Sequence, residues 1–175
     1  MEATGMSYAQ KRDSAGRFDA ILAYLEGRTH GMRVLDFGCL DGYFANRFAD
    51  LGAEVVAVDD SELFDPSKMH ANVTPVAAHL EPVDIKTWGH FDVVLALSVL
   101  HHLPSWRKYL TALKKSGDIL FIETANPDET LPRAKAHAMS DRIVTAVSKL
   151  GESIKQTPGY DAGSLRDLWV IDQRK

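Results

Sequence analysis

Apolar residues near the start of the chain recur at helical spacing. Phe18, Ile21, Leu22 and Leu25 share one face, which predicts a helix from about Ser7 to Glu26 closed by Gly27. A short β-prone run, Arg33 to Phe37, follows and breaks at Gly38. Beyond Gly42 the period returns to helical, with Phe44, Phe48 and Leu51 as the apolar stripe and Gly52 as the stop. Glu54 to Asp59 is nearly continuous in small and branched apolar residues, as expected of a strand covered on both faces. Strand, helix, strand in this order is a parallel crossover unit. The alternation continues with a short strand at Val73 to Val76, a strand at Phe91 to Leu97, a helix from Trp106 to about Lys115 and a strand at Asp118 to Glu123. Leu131 to Leu150 carries Met139, Ile143, Val147 and Leu150 at helical spacing, with Pro132 suited to a first turn and Gly151 to a stop. Two late strands are expected near Ser153 to Thr157 and Leu168 to Ile171. The sum is a doubly wound α/β chain with one central, mostly parallel sheet and helices on both faces.

Composition narrows the class without naming a function. A chain of 175 residues, 45% apolar and 25% charged, is long enough for one core and needs no disulfide staples. It is expected to form a single domain, with residues 1–30 as an N-terminal helical segment and residues 31–175 as the core. Twenty basic against 24 acidic side chains give a net charge of −4, which argues against a surface coated for nucleic acid but leaves room for a local basic groove. Cys39 is the sole cysteine, so an intramolecular disulfide, a paired-cysteine zinc site and a redox dithiol are all excluded within one chain. Glu2, Lys11, Arg12, Asp13, Arg17, Asp19 and Glu26 interrupt the apolar positions of the first thirty residues, so neither a secretory signal nor a membrane anchor is read there. A cytoplasmic location and no membrane partner are the expectation.

The loop after the first strand, Asp36-Phe37-Gly38-Cys39-Leu40-Asp41-Gly42, occupies the place where open parallel sheets hold ligands. Its glycines let backbone approach a ligand, and the helix starting near Gly42 directs free N–H groups and positive dipole at an anionic or zwitterionic group. Asp59, ending the second strand, is placed to accept hydrogen bonds from the hydroxyls of a ribose. Loop and acid together imply a nucleoside. A dinucleotide fingerprint is not met, because Leu40 and Tyr43 stand where its second and third glycines belong. The chain also lacks the Gly-Lys-Ser or Gly-Lys-Thr of a nucleotide-hydrolase phosphate loop.

Val34 to Phe44, reading Val-Leu-Asp-Phe-Gly-Cys-Leu-Asp-Gly-Tyr-Phe, the acid at Asp59, and Phe91 to Leu103, reading Phe-Asp-Val-Val-Leu-Ala-Leu-Ser-Val-Leu-His-His-Leu, together resemble the class I S-adenosylmethionine-dependent methyltransferases. Their order and spacing match from Arg33 to about Ile171. The resemblance implies a Rossmann-like, seven-stranded sheet whose last strand runs antiparallel, with S-adenosyl-L-methionine across its carboxyl edge. It places Asp36 and Gly38 beside the methionyl part, with Cys39 and Leu40 completing the loop, and Gly42 at the close backbone approach. Asp59, flanked by Asp60, would hold the ribose, and Ser98 would lie near the cofactor's amino end. Leu40 departs from the family, which most often has Gly there; either it keeps ordinary backbone angles in a widened loop or it carries strain of about 1 kcal/mol or more. The third-strand loop usually supplies an acid for the adenine amino group, whereas this chain offers His79 beside Leu80.

Methyl transfer from a sulfonium requires mainly alignment and exclusion of water, and a base only for acceptors that hold a proton. His101 and His102, beyond the fourth strand, are the candidates for that base. The plainer alternative is one ring packed below the cofactor and one in solvent. No metal site is expected. Exocyclic-amine methylation of DNA bases is disfavoured because Ala96-Leu97-Ser98-Val99 stands where those enzymes carry Asn/Asp-Pro-Pro-aromatic, and cytosine carbon-five chemistry because Cys39 lies in the cofactor loop. Acceptor recognition is expected from the first helix, the Leu100 to Trp106 loop and the Thr124 to Arg133 segment, with Tyr8, Arg12, Arg17, Trp106 and Arg133 as possible lining. Isolated arginines of this kind are more often solvated. Lys114 and Lys115 read as complements to a helix dipole, and Trp88, Trp106 and Trp169 as packing. The leading expectation is an enzyme moving a methyl to oxygen or nitrogen of a small-molecule acceptor. The alternatives are an RNA or nucleotide methyltransferase, nucleic acid being the less favoured partner, and a non-catalytic cofactor-binding regulatory module. The sequence leaves the oligomeric state open.

Overall fold

The structure is a computed structural model describing residues 12–80, 85–131 and 133–175. Seven strands form one sheet: β1 (Arg33–Phe37), β2 (Glu54–Asp59), β3 (Val73–Ala77), β4 (Phe91–Leu97), β5 (Gly117–Glu123), β6 (Glu152–Pro158) and β7 (Leu165–Asp172), in the order β3-β2-β1-β4-β5-β7-β6. Strands β1 to β5 pair in parallel, while β7 pairs antiparallel with both β5 and β6. The Rossmann-like sheet with an antiparallel last strand is therefore present.

Alternate residues of the central strands serve two cores. Val34, Val55, Val93 and Phe121 face the helices α1 (Ser14–Tyr24) and α2 (Tyr43–Asp50), whose Phe18, Ile21, Phe44 and Phe48 cover them. Leu35, Phe37, Val94 and Leu120 face the opposite side, covered by α3 (Trp106–Ser116) and α4 (Ser140–Ser148) through Tyr109, Leu113, Ile143 and Val147. Burial of both faces explains why these strands are unbroken apolar runs. Winding reverses between β1 and β4, which pair directly, so their carboxyl ends open the crevice in which this architecture binds ligands.

Two predicted helices begin later than their periodicity implied. The first is described from Ser14, where the Asp13 carboxylate caps the Gly16 N–H; Ser7 to Lys11 lie outside the described residues. It ends at Tyr24, before Glu26 and Gly27 turn left-handed. The helix expected from Leu131 begins only at Ser140, after a short 3-10 turn at His137–Met139. The preceding segment is drawn away from helical geometry by outside partners: the Thr130 N–H donates to Asp161 and the Ala136 N–H to the His101 carbonyl. Met139 and Leu150, assigned to the apolar stripe, are 37% and 40% exposed, leaving Ile143 and Val147 as the buried positions. Pro132 lies outside the described residues.

Candidate functional site

Two adjoining pockets open at the carboxyl edge of the sheet. The first, about 300 Å³, is walled by Asp36, Gly38, Cys39 and Leu40 of the β1 loop, Asp59 and Asp60 ending β2, Leu80, Ser98, Arg17 of α1 and Tyr43 of α2. Asp36 is buried and accepts from the Ala45 N–H in the first turn of α2 at 3.1 Å. Burial pushes its pKa up to about 7, Asp59 and Asp41 add to that rise, and the Ala45 hydrogen bond opposes it. Asp59 accepts three backbone N–H groups, Leu40 at 2.7 Å on one oxygen and Asp60 and Ser61 at 2.8 and 2.7 Å on the other. A carboxylate offers about four acceptor positions. One therefore remains for a ligand hydroxyl. Burial, reinforced by Asp36 and Asp59, raises the Cys39 thiol far above its usual range, so this cysteine is an inert wall.

Backbone strain is concentrated where the loop meets the pocket. Leu40 adopts φ 54° and Ser98 φ 60°, left-handed values that cost a side-chain-bearing residue about 1 kcal/mol or more. Leu40 therefore carries strain in place of the family's glycine, held by its N–H bond to Asp59. Gly38, at φ 82°, admits no side chain because an added Cβ would strike Val99. Gly42 is not in the pocket wall. It caps α2 at φ 77°, and an added Cβ would strike Met69, so its role is to turn and pack the loop. His79 is likewise outside this wall. It is exposed, its Nδ1 pairs with Asp60, and it borders a neighbouring groove with Leu80 and His102.

The second pocket, about 540 Å³, is lined by His101, Leu131, Arg133, Ala134, Tyr160 and Arg166, and it shares Leu40, Ser98 and His102 with the first. Those three residues mark the passage between the two. Behind it lies a buried ionic cluster. Glu123, fully buried at the end of β5, accepts from Arg12 at 2.8 Å, Arg17 at 3.2 Å and Thr157 at 2.7 Å. The Ser98 hydroxyl also donates to Glu123. Arg166 donates from Nε to Glu129 at 2.7 Å and from Nη1 to Ser98 at 3.0 Å. Burial alone would raise both glutamates. Arg17 and Arg12 outweigh it at Glu123, and the Tyr160 N–H, Ser164 and Arg166 outweigh it at Glu129, so both lie below the usual carboxylate range.

The two histidines part company. His101 is 3% exposed, its Nδ1 has no hydrogen-bond partner among the described residues, and burial followed by the His102 charge pushes its pKa down to about 2. His102 borders both pockets with one edge exposed; partial burial of its ring and then Arg166 hold it below the usual imidazole range, against a backbone hydrogen bond at Arg133. Among the described residues, no group of three His, Cys, Asp or Glu side chains gathers in a metal-binding cluster.

A family profile described as "Methyltransferase domain" matches residues 8–156. The chain belongs to the class I S-adenosylmethionine-dependent methyltransferases. This methyltransferase is 37% identical over 120 residues to a ubiquinone biosynthesis O-methyltransferase of Roseobacter denitrificans, covering 64% of this chain and 48% of that one. It is 30% identical over 106 residues to the corresponding protein of Colwellia psychrerythraea, covering 55% and 43%. The chain thus spans about half the length of these curated relatives. Among solved structures it superposes on a magnesium protoporphyrin IX methyltransferase of Synechocystis with a TM-score of 0.64 and 20% identity, over 96% of this chain and 85% of that one. An N-methyltransferase of Bradyrhizobium japonicum gives a TM-score of 0.66 at 14% identity, over 93% and 88%. These likenesses establish the shared fold.

Within the methyltransferase, several sequence readings change. Arg12 and Arg17, weighed as mouth residues or as solvated charges, are 2% and 3% exposed and ion-paired beneath the passage. Trp106 belongs to the core under α3 and not to the mouth, while Trp88 and Trp169 pack beside the same core. Glu123, Glu129, Thr157 and Arg166 were missed. One signal was available: an antiparallel last strand begins where its neighbours end, so Arg166 near the start of β7 arrives beside Thr157 and close to Glu123 at the ligand edge.

Proposed function

We propose that this domain binds S-adenosylmethionine in the first pocket and transfers its methyl group to oxygen or nitrogen of a small molecule held in the second. The observation that carries the reading is the pair of pockets meeting at Leu40, Ser98 and His102, with acidic groups lining the one and cationic groups the other. The donor set suits the cofactor: Asp36 and Asp59 offer negative charge to a sulfonium and an ammonium, Asp59 keeps an acceptor position for a ribose hydroxyl, and Arg17 in the same wall suits a carboxylate. The same acids and the Leu40 side chain disfavour a pyrophosphate. The O-methyltransferase relatives and the N-methyltransferase of like fold support oxygen and nitrogen acceptors.

When bound, S-adenosylmethionine supplies a methyl already activated on sulfonium sulfur. The walls align the acceptor with that methyl and exclude water. Asp36, Asp59 and Arg17 would hold the cofactor as it supplies that methyl carbon to the acceptor's lone pair and leaves as the neutral thioether. An acceptor that bears a proton yields it to His102, whose neutral ring borders both pockets. His101, buried and held neutral, positions the neighbouring loop through its carbonyl.

Calorimetry with S-adenosylhomocysteine and with NAD tests the pocket: the first is expected to bind and the second not. Incubation of the protein and labelled S-adenosylmethionine with metabolite extract should yield a small molecule heavier by one methylene. For a proton-bearing acceptor, His102→Asn is expected to lower turnover about a hundredfold, while cofactor affinity is kept. Binding of NAD in preference to the homocysteine nucleoside would end the reading.

A further inference from the structure

The second pocket carries a specific chemical bias. Among the described residues, the ion pairs of the cluster at this end of the sheet join three guanidinium groups, Arg12, Arg17 and Arg166, to two carboxylates, Glu123 and Glu129. Isolated charge is costly to bury, and the usual remedy is a partner ion. Arg17 lies in the wall of the first pocket and Arg166 in the wall of the second.

Arg166 is the group with capacity to spare. Its Nε is committed to Glu129 and its Nη1 to Ser98, whereas its Nη2 makes no hydrogen bond to any described residue. The side chain is 3% exposed, fixed by those two bonds, and part of the second pocket's wall, a preorganised guanidinium beside the ligand space. A second group points to a polar ligand at the same place: the buried Nδ1 of His101, also in this wall, has no partner among the described residues. Arg133 adds an exposed cation at the rim, while Leu131 and Ala134 supply apolar surface. A planar, buried guanidinium beside apolar walls suits a carboxylate on an organic scaffold better than a hydrated phosphate alone.

We infer that the methyl acceptor is an organic acid whose carboxylate is bound by Arg166, with Arg133 closing over it from the rim. The inference rests on the methyl-transfer reading, because it assigns the second pocket to the acceptor. It also places the reacting atom close to the acid group, since Arg166 is hydrogen-bonded to Ser98 at the passage. Recognition by charge at that point would reject neutral analogues of the same shape.

The test uses matched pairs of probes: benzoate, 3,4-dihydroxybenzoate and indole-3-acetate, each against its primary amide. They are titrated by calorimetry and by ¹⁵N NMR into the protein saturated with S-adenosylhomocysteine. At least one acid is expected to bind roughly tenfold or more tightly than its amide, and to shift the Nε–Hε resonance of Arg166 where the amide does not. The preference should vanish in Arg166→Gln, survive in part in Arg166→Lys, and weaken in Arg133→Ala. Removing Arg166 strands Glu129, so each variant is first melted. Should Arg166→Gln fail to fold, the wild-type pairs with the Arg166 resonance, together with Arg133→Ala at the exposed rim, decide alone. Equal affinity of acid and amide in every pair, or a preference that persists in folded Arg166→Gln, would overturn the inference. Failure of the wild type to bind S-adenosylhomocysteine at all would instead overturn the cofactor reading on which it rests.

Discussion

The first pocket and the ionic cluster behind the passage are built by opposite strategies. The first pocket is largely local: Asp36, Gly38 to Asp41 and Asp59 to Ser61 supply much of its wall, and Asp36 and Asp59 are satisfied chiefly by backbone N–H groups close in sequence. The ionic cluster behind the passage is assembled from the whole fold. Arg12 and Arg17 reach Glu123 across sequence separations of 111 and 106 residues, and Arg166 reaches Glu129 across 37. The first pocket is walled by Asp36 and Asp59 with Arg17 beside them, and the second by Arg133 and Arg166. A local turn can keep its shape while its ligand contacts are altered. A buried ionic cluster cannot, because each member is the condition for burying the others.

The largest effect should therefore come from breaking the cluster. Glu123→Ala leaves Arg12 and Arg17 buried without their shared partner, and such a loss costs about 3–5 kcal/mol. For a chain of this length that corresponds to a fall in Tm of roughly 10 °C or more. A melting curve unchanged from wild type would mean that water, and not Glu123, neutralises these arginines. Asp59→Ala probes the first pocket and should act on binding first. Removing a charged hydrogen-bond acceptor costs about 1–3 kcal/mol, so affinity for S-adenosylhomocysteine should drop roughly 5- to 150-fold in calorimetry. If its melting temperature falls further than that of Glu123→Ala, the distinction between a local wall and an assembled cluster is wrong.

Asp36 sharpens the comparison through pH. Its carboxyl in the free protein titrates near 7, raised chiefly by burial. A sulfonium in the same pocket favours the ionised form, so the complex holds Asp36 deprotonated to lower pH than the free protein does. Above about pH 7 the group is already ionised and affinity is full. Below it, binding must expel a proton, and affinity for S-adenosylmethionine should fall by up to about tenfold per pH unit. Asp36→Asn should bind more weakly at pH 8 and show a flatter profile between pH 5 and 8.

The same contrast governs how much could be read from the chain. The β1 loop and Asp59 were legible because contiguous residues form each of them, and because the alternation of apolar runs fixes both strand order and which end faces the ligand. The ionic cluster behind the passage was not. Arg12 and Arg17 look like ordinary charges on an amphipathic helix, and nothing near Arg166 in sequence says that it meets Ser98, 68 residues away. The late start of α4 has the same origin, since the Ala136 N–H is claimed by the carbonyl of His101, a long-range partner that periodicity cannot register. Gly42 and His79 were placed against the cofactor by motif position. In the fold the Met69 side chain lies against Gly42 and the Asp60 carboxylate pairs with His79, neighbours that sequence order does not show.

The smallest effect belongs to Leu40, where local geometry and ligand contact separate most cleanly. At φ 54° the residue bears roughly 1 kcal/mol of strain that glycine would not. Glycine would in turn add unfolded-state entropy worth about 0.5–1 kcal/mol, so the two nearly cancel. Leu40→Gly is therefore expected to move Tm by no more than about 3 °C in either direction. The N–H that bonds Asp59 survives the change, so the ribose side of the pocket should keep its geometry. What is lost is the side chain that stands in the wall of both pockets. If Leu40 is retained for that wall, S-adenosylhomocysteine affinity should stay within about threefold while the preference among acceptors broadens, because a missing apolar wall discriminates by only about 1–3 kcal/mol. A steep loss of cofactor affinity at unchanged Tm would place the side chain against the cofactor itself and move the passage between the pockets elsewhere.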